Sequence, residues 1–379
     1  MSRPAPQARR LPEPRRIVVK IGSAVIAPGG ELAPRAVNAL SDQIVPLISR
    51  GIGVTVVSSG AVASGFRALG LDAPPKTIAA KQAAAAVGQP RLIEAWARAF
   101  AHHGRAVAQV LYTADDLDDR ARFLNARTTL NALLDAGATP IVNENDTTSF
   151  AEIKLGDNDR LSALTANLVS ADLLIILSTA HGLYEDGDPK RIVPSVADAD
   201  DAARHVQPEK SATGVGGMAT KLSSAALAAG WGIPTIVAGG AVPSVLPRLL
   251  AGEPLGTLFE ARTTRAGARK RWLSGSARAR GVLRVDDGAA RAITTKGASL
   301  LPSGILAVSG RFERGAAVDI ARGDGAVFAR GLVNFSADEV AAIRGKRSTE
   351  IERVLGYCYC AEVVHRDDLV LVSVPGASA

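Results

Sequence analysis

From about residue 16 to residue 261 the chain alternates short β-branched and aliphatic runs with longer Ala/Leu-rich segments. The runs lack polar alternation, as do strands that are covered on both faces of a sheet. The segments between them place apolar residues at helical spacing, as at Leu92, Trp96, Ala99 and Phe100. Together they predict an α/β domain with a mostly parallel sheet sandwiched between helices. The six predicted strands are Ile17–Ile21, Val54–Val57, Val107–Leu111, Thr139–Val142, Leu173–Leu177 and Thr235–Ala238.

The character of the sequence changes after about Ser274, where segments shorten and glycine becomes frequent. This pattern predicts a small β-rich domain of roughly 95 residues with one helix, Ser336–Gly345. The run Gly-Ser-Ala-Arg-Ala-Arg-Gly at 275–281 is the best linker candidate before it. The predicted strands here are Gly281–Val285, Ile305–Val308, Ala317–Ile320, Val327–Leu332, Ala361–His365 and Leu369–Val374.

Composition indicates a soluble globular protein without a membrane span. The chain has 379 residues, 47% hydrophobic and 21% charged, and no apolar run is long enough to cross a bilayer. Residues 1–15 are rich in Pro and Arg without an apolar core, which predicts a disordered tail and not a signal peptide. Cys358 and Cys360 form a C-x-C pair, placed on one face of a predicted strand and too small for a structural zinc site. Ordinary thiols suit a reducing, cytoplasmic compartment.

The net charge of +7 is concentrated in one block. Between Arg262 and Arg284 there are eight basic residues and no acidic one. Such a block suits either a polyanion-binding stripe or a solvated linker. Because Trp272 is the one aromatic residue within it, we favour the linker.

Carboxylate and amide side chains gather where the fourth strand ends and the next helix begins. Asn-Glu-Asn-Asp at 143–146 follows the strand, and Gly-Asp-Asn-Asp at 156–159 precedes the helix. Crowded carboxylates repel one another unless a cation or cationic ligand lies among them, and strand ends are where open α/β sheets bind ligands. The alternative is an Asx-rich loop with Asp159 as the helix N-cap. The neighbouring glycine loops favour a binding site.

Two lysines accompany these glycine loops. Lys20 ends the first strand before Gly22, and Lys221 follows the glycine-rich run at 214–217. A lysine beside free backbone N–H groups suits a phosphate, although an exposed terminal lysine is the simpler interpretation of Lys20 alone. The loop after the second strand, Ser58-Ser59-Gly60, also lets backbone approach a ligand. The glycine-rich run follows no strand, so it fails the context of a dinucleotide fingerprint, and a Walker A pattern is absent.

None of the five histidines stands in an obvious catalytic position. Phosphoryl transfer fits this set of residues, because there the protein supplies position and positive charge more than covalent chemistry. A carboxylate acceptor needs no general base, since a pKa near 4.3 leaves it ionised at neutral pH.

The chain resembles the amino acid kinase family from about residue 16 to 260, and its tail resembles a PUA domain. The tail shows Leu-Leu-Pro-Ser-Gly-Ile, Gly-Leu-Val-Asn-Phe and Val-Val-His-Arg-Asp-Asp. The resemblance divides the chain into a tail (1–15), a kinase domain (16–262), a basic linker (263–280) and a PUA domain (281–374). The matching kinase motifs, in family order, are Val-Val-Lys-Ile-Gly-Ser, Val-Ser-Ser-Gly-Ala-Val-Ala-Ser-Gly, Ala-Ala-Val-Gly-Gln, Arg-Phe-Leu-Asn-Ala-Arg, Asn-Glu-Asn-Asp, Gly-Asp-Asn-Asp-Arg-Leu-Ser-Ala, Gly-Leu-Tyr and Gly-Gly-Met-Ala-Thr-Lys.

The resemblance implies ATP-dependent phosphorylation of the L-glutamate γ-carboxylate to L-glutamyl 5-phosphate, with Mg²⁺, as the first step of proline biosynthesis. It implies that Lys20 and Lys221 neutralise the transferring phosphoryl group and that Asp159 orients them. No side chain is assigned to the metal. The implied glutamate-binding residues are Ser59, Gly60, Asp146 and Asn158, and the implied nucleotide-binding residues are Lys20, Ser178, Thr179, Val215, Gly216, Gly217, Met218, Ala219, Thr220 and Lys221.

One departure concerns the nucleotide. The family commonly has Thr/Ser-Asp where this chain has Ser178-Thr179, so an acidic contact is missing. We also expect feedback inhibition by proline and a homo-oligomer, a dimer or tetramer. Two other functions remain open: a sister kinase acting on another carboxylate or carbamate, and RNA binding through the PUA-like tail.

Overall fold

A computed structural model describes residues 9, 11–149, 157–198, 202, 217–264, 267 and 278–372. The chain divides into two compact units, Met1–Thr264 and Arg265–Ala379. Val215, Gly216 and most of the predicted basic linker therefore lie outside the described residues, as does the end of the last predicted strand. The predicted boundaries at residues 262 and 280 remain predictions.

The first unit has the predicted α/β architecture. All six predicted strands are present, each within a residue or two of its predicted limits, and two short strands, β6 and β8, were not predicted. The strands are β1 Arg16–Ile21, β2 Gly53–Ser58, β3 Val107–Tyr112, β4 Thr139–Glu144, β5 Leu173–Ser178, β6 Ser195–Val196, β7 Thr235–Gly239 and β8 Thr257–Phe259. The helices are α1 Ser23–Ile26, α2 Pro34–Ser49, α3 Ala61–Gly65, α4 Ile78–Ala101, α5 Ala114–Asp118, α6 Arg120–Asp135, α7 Asp157–Leu168, α8 Met218–Gly230 and α9 Val245–Leu250.

The strands form one sheet in the order β3-β4-β2-β1-β5-β7-β8-β6. All pairings are parallel except β7 with β8. Strand β1 lies at the centre, and the chain leaves it first toward β2 on one side and later toward β5 on the other. In open α/β sheets such a reversal opens a crevice at the carboxyl ends of the strands, where ligands bind.

Alternation along β1 assigns its side chains to two hydrophobic cores. Ile17, Val19 and Ile21 pack with α2 and α4 on one face, and Val18 packs with α7 and α8 on the other. Because side chains alternate along a strand, Lys20 points to the same face as Val18, toward α7. The strand period thus directs this lysine to the helix that carries Asp159.

The second unit is a five-stranded sheet in the order β10-β9-β11-β12-β13, with β9–β11 as its parallel pair. The prediction of one helix is wrong, and the predicted strand at 361–365 contributes only an isolated bridge at Val364. Cys358 and Cys360 therefore do not lie in a strand. The elements are β9 Gly281–Val285, α10 Asp287–Lys296, β10 Ile305–Gly310, β11 Ala317–Ala321, β12 Val327–Leu332, α11 Ala337–Ile343, α12 Ile351–Leu355 and β13 Leu369–Leu371.

The predicted N-terminal tail is described at Arg9 and at residues 11–15. The Arg9 guanidinium donates hydrogen bonds of 2.6 Å to the carbonyls of Leu255, Pro194 and Gly256. The prediction of a disordered tail therefore does not hold at Arg9, whose five donors can tie several carbonyls together. Within the described part of the chain, no helix is both long and apolar enough to cross a membrane.

Candidate active site

The predicted strand-end loops meet at one edge of the sheet. Ile21 lies beside Ser58 on one side and Leu177 on the other, and Ser178 lies beside Gly239. Because these strands are parallel, the segments that follow them leave the sheet at the same edge. The edge therefore collects Lys20, the Ser59 loop and the Ser178 turn around the central crevice.

Lys20 and Lys221 share one buried carboxylate at this edge. The Nζ atom of Lys20 lies 2.5 Å from Oδ1 of Asp159, and the Nζ atom of Lys221 lies 3.3 Å from its Oδ2. Thr220 Oγ1 donates a hydrogen bond of 2.8 Å to the same Oδ2. Asp159 is 0% exposed, Lys20 6% and Lys221 4%. The structure thus brings together the three side chains predicted to carry the chemistry.

The cluster is buried and holds two ammonium groups around one carboxylate. Burial lowers the pKa of Lys20, and the repulsion of Lys221 adds to this, while Asp159 opposes it. Burial alone would raise the pKa of Asp159, but the two ammonium groups and the Thr220 hydroxyl hold it below its usual range. Both ammonium groups would attract an anion that arrives at this cluster.

Local structure explains how these side chains converge. Asp159 lies in the first turn of α7, where the helix dipole favours a carboxylate. It is inside the helix, so the alternative that made it the N-cap of a simple Asx loop is wrong. Lys221 lies in the first turn of α8, which begins directly after Gly217. A cation there opposes the helix dipole, and Asp159 offsets that cost.

A second cluster joins the loops after β2 and β4. The Nδ2 atom of Asn158 donates to Ser59 Oγ at 3.0 Å and to Asn143 Oδ1 at 3.1 Å. The Asn143 carboxamide oxygen also accepts the backbone N–H of Glu144 at 3.0 Å. Asn158 therefore bridges the ends of two strands that both border the crevice.

Two polar atoms of this cluster are buried without a hydrogen bond among the described residues: Nδ2 of Asn143 and Oδ1 of Asn158. Leaving a buried donor or acceptor unsatisfied costs about 1–3 kcal/mol. A donor and an acceptor at the same strand ends fit a ligand with carboxylate and ammonium groups. Asn143 was not singled out from the sequence, although it opens the Asn-Glu-Asn-Asp motif.

Gly60 begins α3 in a conformation that requires glycine. Its φ is +108°, and a Cβ atom there would lie 2.9 Å from Ile26 Cδ1. The backbone after Ser59 can therefore turn into the crevice without a side chain in the way.

The remaining predicted residues lie around the same edge. Asp146 is half-buried in the turn after β4, and Ser178 is half-buried at the end of β5, with Thr179 exposed beside it. Gly217 precedes α8, and Met218, Ala219 and Thr220 form its start, with Met218 half-buried and Ala219 exposed.

A paired-lysine cluster next to a cluster of amide side chains, at the switch point of a parallel sheet, suits transfer of an anionic group between two bound substrates. Comparison with known proteins agrees. Residues 15–239 match the amino acid kinase family, and residues 281–355 match the PUA domain. The chain belongs to the amino acid kinase family and carries a PUA domain.

Curated relatives narrow the family further. The glutamate 5-kinase of Syntrophotalea carbinolica is 49% identical over 369 residues, covering 95% of this chain and 98% of the relative. The glutamate 5-kinase of Thermus thermophilus is 49% identical over 362 residues, covering 94% and 97%. That of Trichlorobacter lovleyi is 48% identical over 369 residues, covering 96% and 98%. Similarity of this extent over both units places the chain among the glutamate 5-kinases.

Proposed function

We propose that this chain transfers the γ-phosphoryl group of ATP to the γ-carboxylate of L-glutamate, giving L-glutamyl 5-phosphate and ADP. This reaction would be the first step of proline biosynthesis. The observation that carries the proposal is the Lys20–Asp159–Lys221 cluster beside the Asn158–Ser59–Asn143 cluster at one edge of the sheet. The first suits the transferring group and the second suits an amino-acid acceptor.

The acceptor is chemically ready to attack. The glutamate γ-carboxylate has a pKa near 4.3 and is ionised at neutral pH, so no general base is required. A bond forms between one carboxylate oxygen and the γ-phosphorus, and the bond from that phosphorus to the β,γ-bridging oxygen breaks. The displaced oxygen leaves as part of ADP, and no proton changes hands in this step.

Lys20 and Lys221 stabilise the charge on the transferring group. Negative charge spreads over the equatorial oxygens of the phosphoryl group as the bonds exchange. Two ammonium groups fixed in a buried site are worth more there than in water, because little solvent screens them. Asp159 holds both in place, which makes it a positioning residue for the two lysines.

The amide cluster binds the acceptor. Asn143 Nδ2 and Asn158 Oδ1 offer a donor and an acceptor to the amino-acid carboxylate and ammonium groups. Ser59 and the Gly60 backbone border the same pocket, and Asp146 provides a carboxylate for the ammonium group. The assigned groups are amides, a hydroxyl, a backbone segment and a carboxylate, and the acceptor carboxylate needs no general base, so the proposed reaction requires no histidine.

Mg²⁺ fits this site best as a companion of ATP. Mg²⁺ takes oxygen ligands and commonly retains substrate phosphates and water. The Asp159 carboxylate already bonds to Lys20, Lys221 and Thr220. Within the described ranges, no three His, Cys, Asp or Glu side chains are grouped as a metal ion would require. The ion would therefore be held mainly by the phosphates, whose charge it reduces when bound.

The nucleotide occupies the other side of β1, between Ser178-Thr179 and the start of α8. Ser178 Oγ accepts the backbone N–H of Ala180 at 3.4 Å, so this hydroxyl shapes its own turn. The missing acidic residue at Thr179 predicts a weaker nucleotide contact here than in relatives with Thr/Ser-Asp. Val215 and Gly216, also assigned to the nucleotide, lie outside the described residues.

The test is ADP release over L-glutamate, L-aspartate, N-acetylglutamate and carbamate, with ATP and Mg²⁺. We expect kcat/KM to be highest for glutamate, with release lost in the Lys221→Ala variant. Faster turnover with acetylglutamate or carbamate would contradict the proposal and identify a sister kinase. Proline added to the same assay tests feedback inhibition, and light scattering tests the expected homo-oligomer. A salt-dependent gel shift with structured RNA tests the remaining alternative.

A further inference from the structure

We propose that one face of helix α4 positions both walls of the acceptor pocket and thereby sets its affinity for the acceptor. The residues are Gln82, Gln89 and Trp96. We call residues 58–60 the β2 wall and residues 143–149 the β4 wall. The inference rests on the proposed function, because it concerns the pocket assigned to the amino acid. It also gives a purpose to the Ala-Ala-Val-Gly-Gln motif, which the reaction itself does not use.

The three residues lie on one face of the helix. They are spaced seven residues apart, and seven residues at 3.6 per turn make nearly two turns. Each of them reaches a pocket wall through a side-chain N–H group. This common face is directed at the sheet edge, while the opposite face of α4 carries exposed residues such as Arg91 and Arg98.

Trp96 holds the β2 wall. Its indole Nε1 donates a hydrogen bond of 3.0 Å to Ser58 Oγ, and that hydroxyl donates at 3.0 Å to the carbonyl of Ser59. Trp96 and Ser58 are both 0% exposed. Because the indole N–H can only donate, it leaves the Ser58 proton for Ser59. The relay thus fixes the backbone of the residue whose side chain accepts from Asn158.

Gln82 and Gln89 hold the β4 wall at its two ends. Gln89 Nε2 donates to the Glu144 carbonyl at 3.4 Å, and Gln82 Nε2 donates to the Ser149 carbonyl at 3.3 Å. Asn145 and Asp146 lie between these two points. The glutamines therefore span the segment assigned to the acceptor.

Helix α4 can serve both walls because it lies against α3 with almost no space between the backbones. A Cβ atom at Gly88 would lie 1.8 Å from the carbonyl oxygen of Ala61, and one at Gly65 would lie 1.9 Å from that of Ala84. Helix α3 continues directly from Gly60. The contact therefore fixes α4 relative to the β2 wall.

This arrangement separates acceptor binding from phosphoryl transfer. Trp96 belongs to the core on one face of the sheet, with Ile17 and Val19 of β1. Helices α7 and α8, which carry Asp159 and Lys221, pack on the other face. Disturbing α4 should therefore alter the pocket and leave the lysine centre intact.

The first test is the steady-state kinetics of Trp96→Phe, Gln89→Met and Gln82→Met in the full chain. Trp96→Phe removes the indole N–H, and each Gln→Met change removes the carboxamide that reaches the β4 wall; all three keep most of the side-chain volume. We expect the glutamate KM to rise about three- to tenfold, as for loss of one buried hydrogen bond, with kcat and the ATP KM within about twofold of wild type. Equal losses in kcat, or an unchanged glutamate KM in all three, would overturn the proposal.

Matched controls separate positioning from loss of stability. Phe100→Leu shortens a fully buried aromatic residue one turn after Trp96, and Gln43→Met removes a hydrogen bond to the backbone N–H of Leu246 in α9. Both should lower the melting temperature without raising the glutamate KM. A KM increase in the controls equal to that in the α4 variants would count against a positioning role. Should Trp96→Phe fail to fold, the two glutamine variants decide the proposal.

Amide hydrogen exchange tests the inference independently of the reaction. In the Gln82→Met and Gln89→Met variants we expect faster hydrogen exchange at the backbone amides of Asn145, Thr148 and Ser149. In the wild-type structure the Asn145 amide donates to the Tyr112 carbonyl, and the other two donate to the Asn145 carbonyl. We expect Trp96→Phe to act on the Ser59 amide, which donates to the Ile21 carbonyl at 3.1 Å. Unchanged exchange at these amides would refute the role of α4 even if glutamate is the substrate. Faster exchange with no turnover of glutamate by wild type would instead refute the proposed function alone.

Discussion

Asn158 and Asp159 are consecutive residues of α7 whose side chains bond to different halves of the site. Asn158 joins Ser59 and Asn143, whereas Asp159 joins Lys20 and Lys221. Successive residues of a helix diverge by about 100°, so one turn of α7 can serve two groups of partners. A single helix therefore sets the separation between the lysine cluster and the amide cluster, and under the proposed function variants of the two clusters should show different kinetic defects.

Removing either ammonium group should slow the chemical step. We expect Lys20→Ala and Lys221→Ala each to lower kcat about 10²–10³-fold, as for loss of one transition-state donor, with a much smaller change in the glutamate KM. Steady-state kinetics with saturating ATP is the measurement. Arg262→Ala, an exposed change near the end of the first unit, provides the control. A variant that keeps near wild-type kcat would remove its lysine from the proposed mechanism.

Changes in the acceptor pocket should act on binding. We expect Asp146→Ala and Asn158→Ala to raise the glutamate KM about ten- to a hundredfold, since losing a charged hydrogen bond costs roughly 1.5–3 kcal/mol. The ATP KM should stay close to wild type. Asn158→Ala carries a second expectation, because it also frees Ser59 and Asn143 from their bridge. A changed ATP KM with an unchanged glutamate KM would contradict these assignments.

Acid should remove the contribution of Asp159 to stability. Its pKa is lower in the folded state than the unfolded value of about 3.9, so its stabilisation is present above pH 4 and is lost as the pH falls through the folded value. Wild type and Asp159→Asn should therefore differ in free energy of unfolding by a constant amount above about pH 5. Below about pH 4 that difference should shrink, as urea denaturation at several pH values would show. A difference that persists unchanged to pH 3 would indicate that the pairing is not electrostatic.

The backbone contact between α3 and α4 should tolerate no side chain. We expect Gly88→Ala to lower the free energy of unfolding by about 1–3 kcal/mol or more, because its Cβ would meet a carbonyl oxygen at 1.8 Å. Gly230→Ala is the matched control, since nothing lies within 4 Å of a Cβ atom there. That control should be neutral or more stable by about 0.4–1 kcal/mol. Equal stability of Gly88→Ala and wild type in urea would show that the helices can separate freely.

The kinase unit should work without the PUA domain. Every residue assigned to the chemistry precedes residue 222, and the first compact unit ends at Thr264. We expect residues 1–274 to fold and to release ADP on glutamate, with circular dichroism confirming the fold. Removal of the PUA domain can still change proline inhibition, the Mg²⁺ requirement or oligomer assembly, because a second domain can shift those equilibria without contributing to the chemistry. A folded truncation that is inactive on glutamate would show that the second unit completes the site.

Much of the site was predictable, because strand ends and loop composition are local properties of a sequence. Lys20, Ser59 and the 143–146 run fall at one sheet edge as soon as the strands are known to be parallel. The role of Asp159 came from the family resemblance, since spacing alone also allowed an N-cap. Asn143 was not singled out, because its importance lies in a buried atom without a hydrogen bond, which only packing reveals.

The second unit shows where sequence reasoning failed. Helix α10 contains the β-branched residues Ile293, Thr294 and Thr295, which favour strands, yet Asp286 caps it and Ile293 packs in the core. Tertiary packing overrides the local preference there. The Tyr-Cys-Tyr-Cys segment alternates as a strand would, but neither cysteine lies in a strand, and the Cys358 thiol donates to the Cys360 carbonyl. Local bonding of this kind has no signature in residue spacing.

The Gly65–Gly88 contact limits how the proposed acceptor pocket can evolve. Two backbones already touch there, so any substitution can only push α3 and α4 apart, and none can draw them closer. A smaller acceptor would therefore have to be matched by changes away from this contact, in the strand-end loops or in the α4 side chains that reach them. For the same reason, substitutions at Gly65 and Gly88 can only increase the distance between the two helices, so a library of variants at these positions would sample enlarged pockets and no smaller ones.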